Sequence, residues 1–257
     1  VSRLTLAPDL LSEEVVGVNA PRISVVIPVY NGRRYIAEAI ESALGQSVQP
    51  LQVIVIDDGS TDGSADVVAS YEPRVTCIRQ PNRGPAAARN LGVERATGEL
   101  LAFLDADDVW TPCKLAWQAQ VLANDQACEA VLGRVENFIS PELDESEHRA
   151  LRKSASQKGA FLAGALLIRR DAFLRVGYLD ARWRQGEFIE WWARAVRHRL
   201  RYAVLPELVL RRRLHDDNLT RREAAQGRSD YLRLLCEKLA HSRGAIDHST
   251  SVQSDAP

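Results

Sequence analysis

The 257 residues predict an α/β protein, with one parallel or mixed sheet sandwiched by helices and a smaller region following it. Three observations carry this expectation. Short, almost wholly apolar runs rich in β-branched residues alternate with stretches of helical period. Those runs lack the in-out alternation of a half-exposed sheet, as strands buried on both faces do. Each run also breaks into a turn rich in Asp, Asn or Gly, and in such sheets ligands sit beyond the carboxyl ends of the strands.

Taken in order, Pro21 introduces Ile23 to Val29, a buried strand that stops at Asn31-Gly32. Tyr35, Ile36, Ala39, Ile40 and Leu44 recur at helical spacing, and Leu51 to Ile56 is a second apolar strand. A helix is expected from Asp62 to Tyr71, a strand from Val75 to Ile78, a helix from Pro85 to Ala96 and a strand from Leu100 to Leu104. Beyond them the pattern predicts a helix from Pro112 to about Ala123 and a strand from Ala130 to Val135. Ser140 to Lys158 loses apolar periodicity and reads as a mobile loop. Phe161 to Ile168 reads as a core strand, Glu187 to Arg199 as a helix, Leu208 to Leu210 as a short strand and Tyr231 to Leu239 as a terminal helix. A disordered tail is expected from Gly244. The chain then divides into a lead-in over residues 1–21, a main domain over 22–220 with halves at 22–123 and 124–220, and a C-terminal helix and tail over 221–257.

With 46% hydrophobic residues, 26% charged residues and a formal net charge of -1, the composition is that of a globular protein and excludes a general nucleic-acid binder. Basic charge is nonetheless uneven. Arg194, Arg197, Arg199, Arg201, Arg211, Arg212, Arg213, Arg221 and Arg222 crowd the last third, a pattern read as a solvated face ahead of an anionic ligand or membrane surface. Cys77, Cys113, Cys128 and Cys236 lack the paired short spacing of a zinc cage or disulfide framework, which suits a reducing compartment. No apolar run approaches the roughly 20 residues that span a bilayer. The first residues lack the basic-then-apolar order of a secretory signal. The expected location is the cytoplasm or the inner membrane surface, with no transmembrane segment and peripheral membrane contact left open.

The chemistry-bearing motifs fall at the strand ends. Asp105-Ala106-Asp107 sends two carboxylates out of the end of a buried strand, and Asp108 adds a third. Charges so close repel unless a cation or hydrogen-bond donors compensate, and a hard divalent ion takes one or two carboxylates together with substrate phosphates. The same residues would also serve as a helix cap or an exposed acidic turn. Asp57-Asp58-Gly59-Ser60-Thr61-Asp62 can present carboxylates to a base N–H, or can simply turn a strand into a helix. Asn82-Arg83-Gly84-Pro85 starts a helix whose Arg89 can face a phosphate or buttress the acids, and a closely packed helix with one ion pair fits equally well.

Together, PVYN (Pro28 to Asn31), DDGSTD (Asp57 to Asp62), NRGPAAARN (Asn82 to Asn90) and TGELLAFLDADD (Thr97 to Asp108), with a following WTP, closely resemble family 2 glycosyltransferases over about residues 22 to 123. The resemblance implies a glycosyltransferase A fold, Rossmann-like, an inverting mechanism and a nucleotide-sugar donor, commonly a UDP-sugar. Pro28 and Tyr30 would border the base, with Asp58 and Asp57 recognising it. Asn82, Gly84 and Arg89 would shape the donor pocket together with Asp105, Ala106 and Asp107. Asp107, with Asp105, would bind Mn²⁺ or Mg²⁺. Arg213-Leu214-His215 resembles the family's RxH segment and makes His215 a further metal or phosphate candidate; a surface histidine is the plainer alternative. The acceptor stays open among glycan, lipid-linked glycan, protein and small molecule.

One segment departs from the family pattern. Aligning Trp192 and Arg194 of Gly186 to Arg194 with the family's catalytic helix puts Phe188 where an aspartate usually deprotonates the acceptor. Glu187 and Glu190, on one helical face, are the candidates left for that role, unless they are only a solvated or arginine-paired face. A catalytically silent sugar-nucleotide-binding module is therefore the first alternative, and a sugar nucleotidyltransferase the second.

Overall fold

The structure is a computed structural model and describes residues 21–155, 161–183 and 185–215. The expected helix Tyr231 to Leu239, the tail from Gly244 and the lead-in lie outside the described residues. β1 (Ile23–Val29), β2 (Gln52–Asp57), β3 (Val75–Arg79) and β4 (Leu100–Phe103) carry the apolar runs read from the sequence. Between them lie α1 (Ile36–Leu44), α2 (Ser64–Ala69) and α3 (Pro85–Arg95). β5 (Val109–Trp110), α4 (Lys114–Asn124), β6 (Ala130–Ile139), α5 (Glu145–Ala155), β7 (Leu167–Arg169), α6 (Arg170–Val176), α7 (Glu187–Arg197) and β8 (Tyr202–Leu214) follow.

The strands form one mixed sheet in the order β3-β2-β1-β4-β7-β6-β8-β5. β1 pairs in parallel with β2 and β4, and β2 with β3, while β7 runs antiparallel to β4 and β6. Side chains alternate across the pleat, so Val25 and Ile27 enter one layer of core with α1 and α4, and Val26 the other with α3, α6 and α7. Both faces are thus covered, which is why these strands are apolar throughout. α3 comes unusually close to β1: a Cβ at Gly92 would stand 2.2 Å from Val26 Cγ1, so only glycine fits there.

Two expectations are corrected. Ser140 to Lys158 is not a loop throughout, because α5 occupies Glu145–Ala155. Its start is a reciprocal cap: Glu147 N donates to Asp144 Oδ1 at 2.9 Å and Asp144 N to Glu147 Oε2 at 2.7 Å, while Leu151 turns inward and is buried. Phe161 to Ile168 is not one strand either. A 3₁₀ turn at Ala163–Ala165 interrupts it, and only Leu167–Arg169 joins the sheet. Three successive carbonyls there are taken by side chains instead of a strand partner: Trp110 Nε1 donates to Gly164 O, Gln118 Nε2 to Ala165 O and Lys114 Nζ to Leu166 O, at 2.8, 2.8 and 3.2 Å.

Candidate active site

The loops after β1, β2, β3 and β4 converge on one side of the sheet because the parallel strands all end there. They frame a cavity of about 780 Å³. Its floor begins with two interlocked turns. Ser60 Oγ accepts from Asn31 N at 3.0 Å, Asn31 Oδ1 from Thr61 N at 2.9 Å, and Asp62 Oδ2 from Arg33 N at 2.9 Å. Pro28 and Tyr30 line the cavity, and Tyr30 is half exposed. Asp58 lines it as well, but its carboxylate also clamps the next loop, accepting from Gln80 Nε2, Arg83 N and Gly84 N at 2.6, 2.9 and 2.8 Å. Asn82 and Gly84 of that loop reach the wall. Asp57 does not line the cavity. Its buried carboxylate accepts from Ser60 N at 2.8 Å and lies 3.4 Å from Arg79 Nε, so it shapes the turn.

Arg89 joins the two halves of the site. Its side chain, 6% exposed, pairs with Asp105 through Nη2 at 2.5 Å and with Glu187 through Nη1 at 2.6 Å. Burial works against its charge, but the two carboxylates outweigh burial and raise its pKa further, so the guanidinium stays ionised. At Glu187 burial wins over Arg89, and the carboxyl is lifted above its ordinary range. Glu190, the other candidate base, belongs to a different surface: it is held by Arg194 Nε at 2.9 Å and does not line the cavity. Phe188 lines the wall and stacks on Trp191 at 6.0 Å between ring centroids.

The acidic turn is fixed by the end of β8. Arg213 N donates to Asp108 Oδ1 at 2.9 Å, Arg213 Nε to Asp107 O at 3.0 Å and Arg213 Nη1 to Ser140 Oγ at 3.2 Å, while its remaining arm pairs with Glu38. Burial, then the charges of Asp107 and Asp105, push the Asp108 carboxyl well above its ordinary range. His215 Nε2 stands 3.0 Å from Asp107 Oδ2, and its ring packs on Tyr35 at 4.6 Å. The cavity wall therefore brings together Pro28, Tyr30, Asp58, Asn82, Gly84, Arg89, Asp105, Ala106, Asp107, Glu187 and His215. Arg213, Tyr35 and Glu142 were missed as site-building residues. Arg213 had a signal in the RxH segment, but the bond from Tyr35 Oη to Glu142 Oε1 at 2.6 Å, across 107 positions, had none.

An open α/β sheet that presents an acidic turn to a cleft at its parallel strand ends defines a ligand-binding α/β protein, the class to which the glycosyltransferase A fold belongs. The Glycosyl transferase family 2 profile matches residues 24–181, more than half of the chain, and the chain belongs to that family. An uncharacterized glycosyltransferase of Nostoc sp. is 46% identical over 98 residues, 37% of this chain and 30% of the relative. One from Haemophilus influenzae is 45% identical over 105 residues, 39% of this chain and 42% of the relative. The matched stretch spans less than half the length of these curated relatives. S. aureus TarS superposes with a TM-score of 0.60 at 20% identity, over 76% of this chain and 37% of TarS. A TarS fragment solved with UDP-GlcNAc superposes with a TM-score of 0.59 at 20% identity, over 77% of this chain and 60% of the fragment. At that identity the likeness shows the fold.

Proposed function

We propose that the protein transfers a sugar from a nucleotide diphosphate sugar, a UDP-sugar in the simplest case, to an acceptor hydroxyl with inversion. The observation that supports this reading is the Asp105–Arg89–Glu187 chain, two acids on the two ends of one buried guanidinium at the cavity, with Asp105 assigned to the donor side and Glu187 to the acceptor side. Pro28 and Tyr30 border the base, Asp58 and the Asn82–Gly84 loop hold the nucleoside, and Ala106 leaves room between the two acids of the turn. The binding of UDP-GlcNAc by a fold relative supports the choice of donor.

Do the residues fit a divalent ion? Among the described residues no three His, Cys, Asp or Glu side chains are grouped to hold one alone. Asp107 and His215, 3.0 Å apart, supply one oxygen and one nitrogen donor beside two further carboxylates. That set fits Mg²⁺ or Mn²⁺ shared with a diphosphate, whose oxygens and water would fill the other positions. When bound, the ion would offset the charge that develops on the leaving diphosphate.

Glu187 is the proposed proton acceptor, since burial makes its carboxyl more basic than usual and it faces the cavity. The acceptor oxygen bonds to the anomeric carbon as the carbon–oxygen bond to the diphosphate breaks, and the hydroxyl proton passes to Glu187. The test is a screen of UDP-, GDP- and ADP-sugars for slow donor hydrolysis with Mn²⁺, which needs no acceptor. Turnover of a UDP-sugar supports the reading. The apolar Phe188 at the wall favours one rival, a module that binds sugar nucleotides without turning them over, and nucleotide binding with no hydrolysis of any donor would select it.

A further inference from the structure

The acceptor end of the cavity runs out onto an apolar surface that the proposed reaction does not use. Phe161, Ile189, Val196, Tyr202 and Val204 are 36% to 51% exposed, although each is a large hydrophobic side chain. They are one patch. Ile189 and Val196 stand two turns apart on one face of α7, where Trp192 lies between them. Trp192 packs against Tyr202 at 5.0 Å and Phe161 at 5.4 Å between ring centroids. Tyr202 and Val204 share a face of β8, two residues apart. Phe161 and Ile189 also line the cavity, so the patch is continuous with its mouth.

Exposed arginines of a single sign accompany the patch. Arg197, Arg199 and Arg201 follow one another along the α7–β8 connection and are all exposed. Of the acids around them, Glu190 is engaged by Arg194, Glu129 by Arg175 and by the Arg201 backbone N–H, and Glu207 on β8 is half-buried. A contiguous apolar patch on a protein surface marks an interaction site, and aromatic side chains fringed by arginine suit the boundary between lipid headgroups and acyl chains.

We propose that this face docks on an anionic phospholipid bilayer, with Val196, Tyr202 and Val204 at the headgroup boundary and the three arginines on lipid phosphates, so that the cavity mouth opens beside the membrane. The proposal rests on the proposed function only for the meaning of that mouth.

The experiment is co-sedimentation of the full chain with vesicles of phosphatidylcholine alone or with about a third phosphatidylglycerol, at low and high salt. Binding is expected on the anionic vesicles and should weaken with salt. Each arginine near such a surface contributes about five-fold in affinity, so Arg197→Ser, Arg199→Ser and Arg201→Ser together should weaken binding roughly 10²-fold. Val196→Asp with Val204→Asp should also weaken it, with donor hydrolysis in vesicle-free solution unchanged. Equal binding by wild type and both variants, or no binding to anionic vesicles, overturns the proposal. So does a concentration-dependent dimer that the valine variant dissolves, because the face would then belong to a second copy. Thermal melts identify a misfolded variant, and the arginine set, wholly on the surface, then decides alone. Donor hydrolysis without vesicles reports separately on the cavity, so loss of that activity in wild type would sink the proposed function and leave vesicle binding to be judged on its own.

Discussion

Arg89 ties the two sides of the cavity together, because one buried guanidinium holds Asp105 and Glu187. Its Nε is buried with no hydrogen-bond partner among the described residues, so both terminal nitrogens are committed to Asp105 and Glu187 while a third donor is left over. Glu187→Gln should lower turnover by about 10²–10⁴-fold and leave nucleotide affinity within a few-fold, whereas Glu190→Gln should leave turnover near wild type. Kinetics with a turned-over donor separate these outcomes, and equal losses in both variants would refute the assignment. Asp107→Ala should abolish the dependence of UDP affinity on Mn²⁺, because the carboxylate beside His215 is gone. Calorimetry with and without the ion reads this directly, and an unchanged ion dependence would remove Asp107 from the donor set. Asp105, Asp107 and Arg89 were legible in the sequence because each lies in a short motif at an element end. The Arg89–Glu187 pair, 98 positions apart, was not, since only the placement of α7 against α3 brings the two side chains together.

Among the elements, α3 and α5 show opposite limits of pattern reading. α3 was expected from its Gly-Pro start and small residues, and the structure gives those residues their reason: the helix lies so near β1 that a Cβ at Gly92 would overlap Val26. Gly92→Ala should therefore destabilise the fold by about 1–3 kcal/mol despite the better helix propensity of alanine. A urea or thermal melt tests this, and a variant as stable as wild type would mean that the helix shifts freely. α5 was missed because its composition is polar, yet Asp144 and Glu147 carry a capping signal that a search for periodicity overlooks. The turn at Ala163–Ala165 could not be read at all. Its carbonyls are satisfied by side chains of β5 and α4 that lie roughly fifty positions earlier, and an apolar run gives no hint of such partners.

At the scale of the whole molecule, the N-terminal half of the sheet and β8 are held together by polar contacts around Tyr35, Glu142 and Arg213. Burial alone would raise the Glu142 carboxyl, but hydrogen bonds from Ser140 and Tyr35 outweigh it and bring it down to about 2 from an ordinary 4.5. A depressed carboxyl stabilises the folded state above its unfolded value and loses that contribution as the pH falls through its folded value. Glu142→Gln should accordingly melt below wild type at neutral pH, with the difference shrinking from about pH 4.5 downward and gone near pH 2. Melting curves of both proteins across that range check the sign. A ligand that binds only the folded protein adds about 2.7 kcal/mol at a hundred times its Kd. UDP with Mn²⁺ should thus raise the melting temperature more than either alone.

The sequence by itself determined the order of strands and helices through residue 123 except for the two-residue β5, the side of the sheet on which the polar turns emerge, and the family, because each depends on local pattern and short motifs. Strand ends and turn residues lie within a few positions of one another, so local spacing suffices to place them. Only the tertiary structure decided that Asp57 shapes a turn while Asp58 reaches the cavity, that Glu190 faces Arg194 while Glu187 meets Arg89, and that Arg213 of β8 holds the acidic turn of β4. Those outcomes depend on which face of an element turns inward and on partners up to 106 positions away, and burial and charge pairing settle them only when the whole sheet has closed its layers.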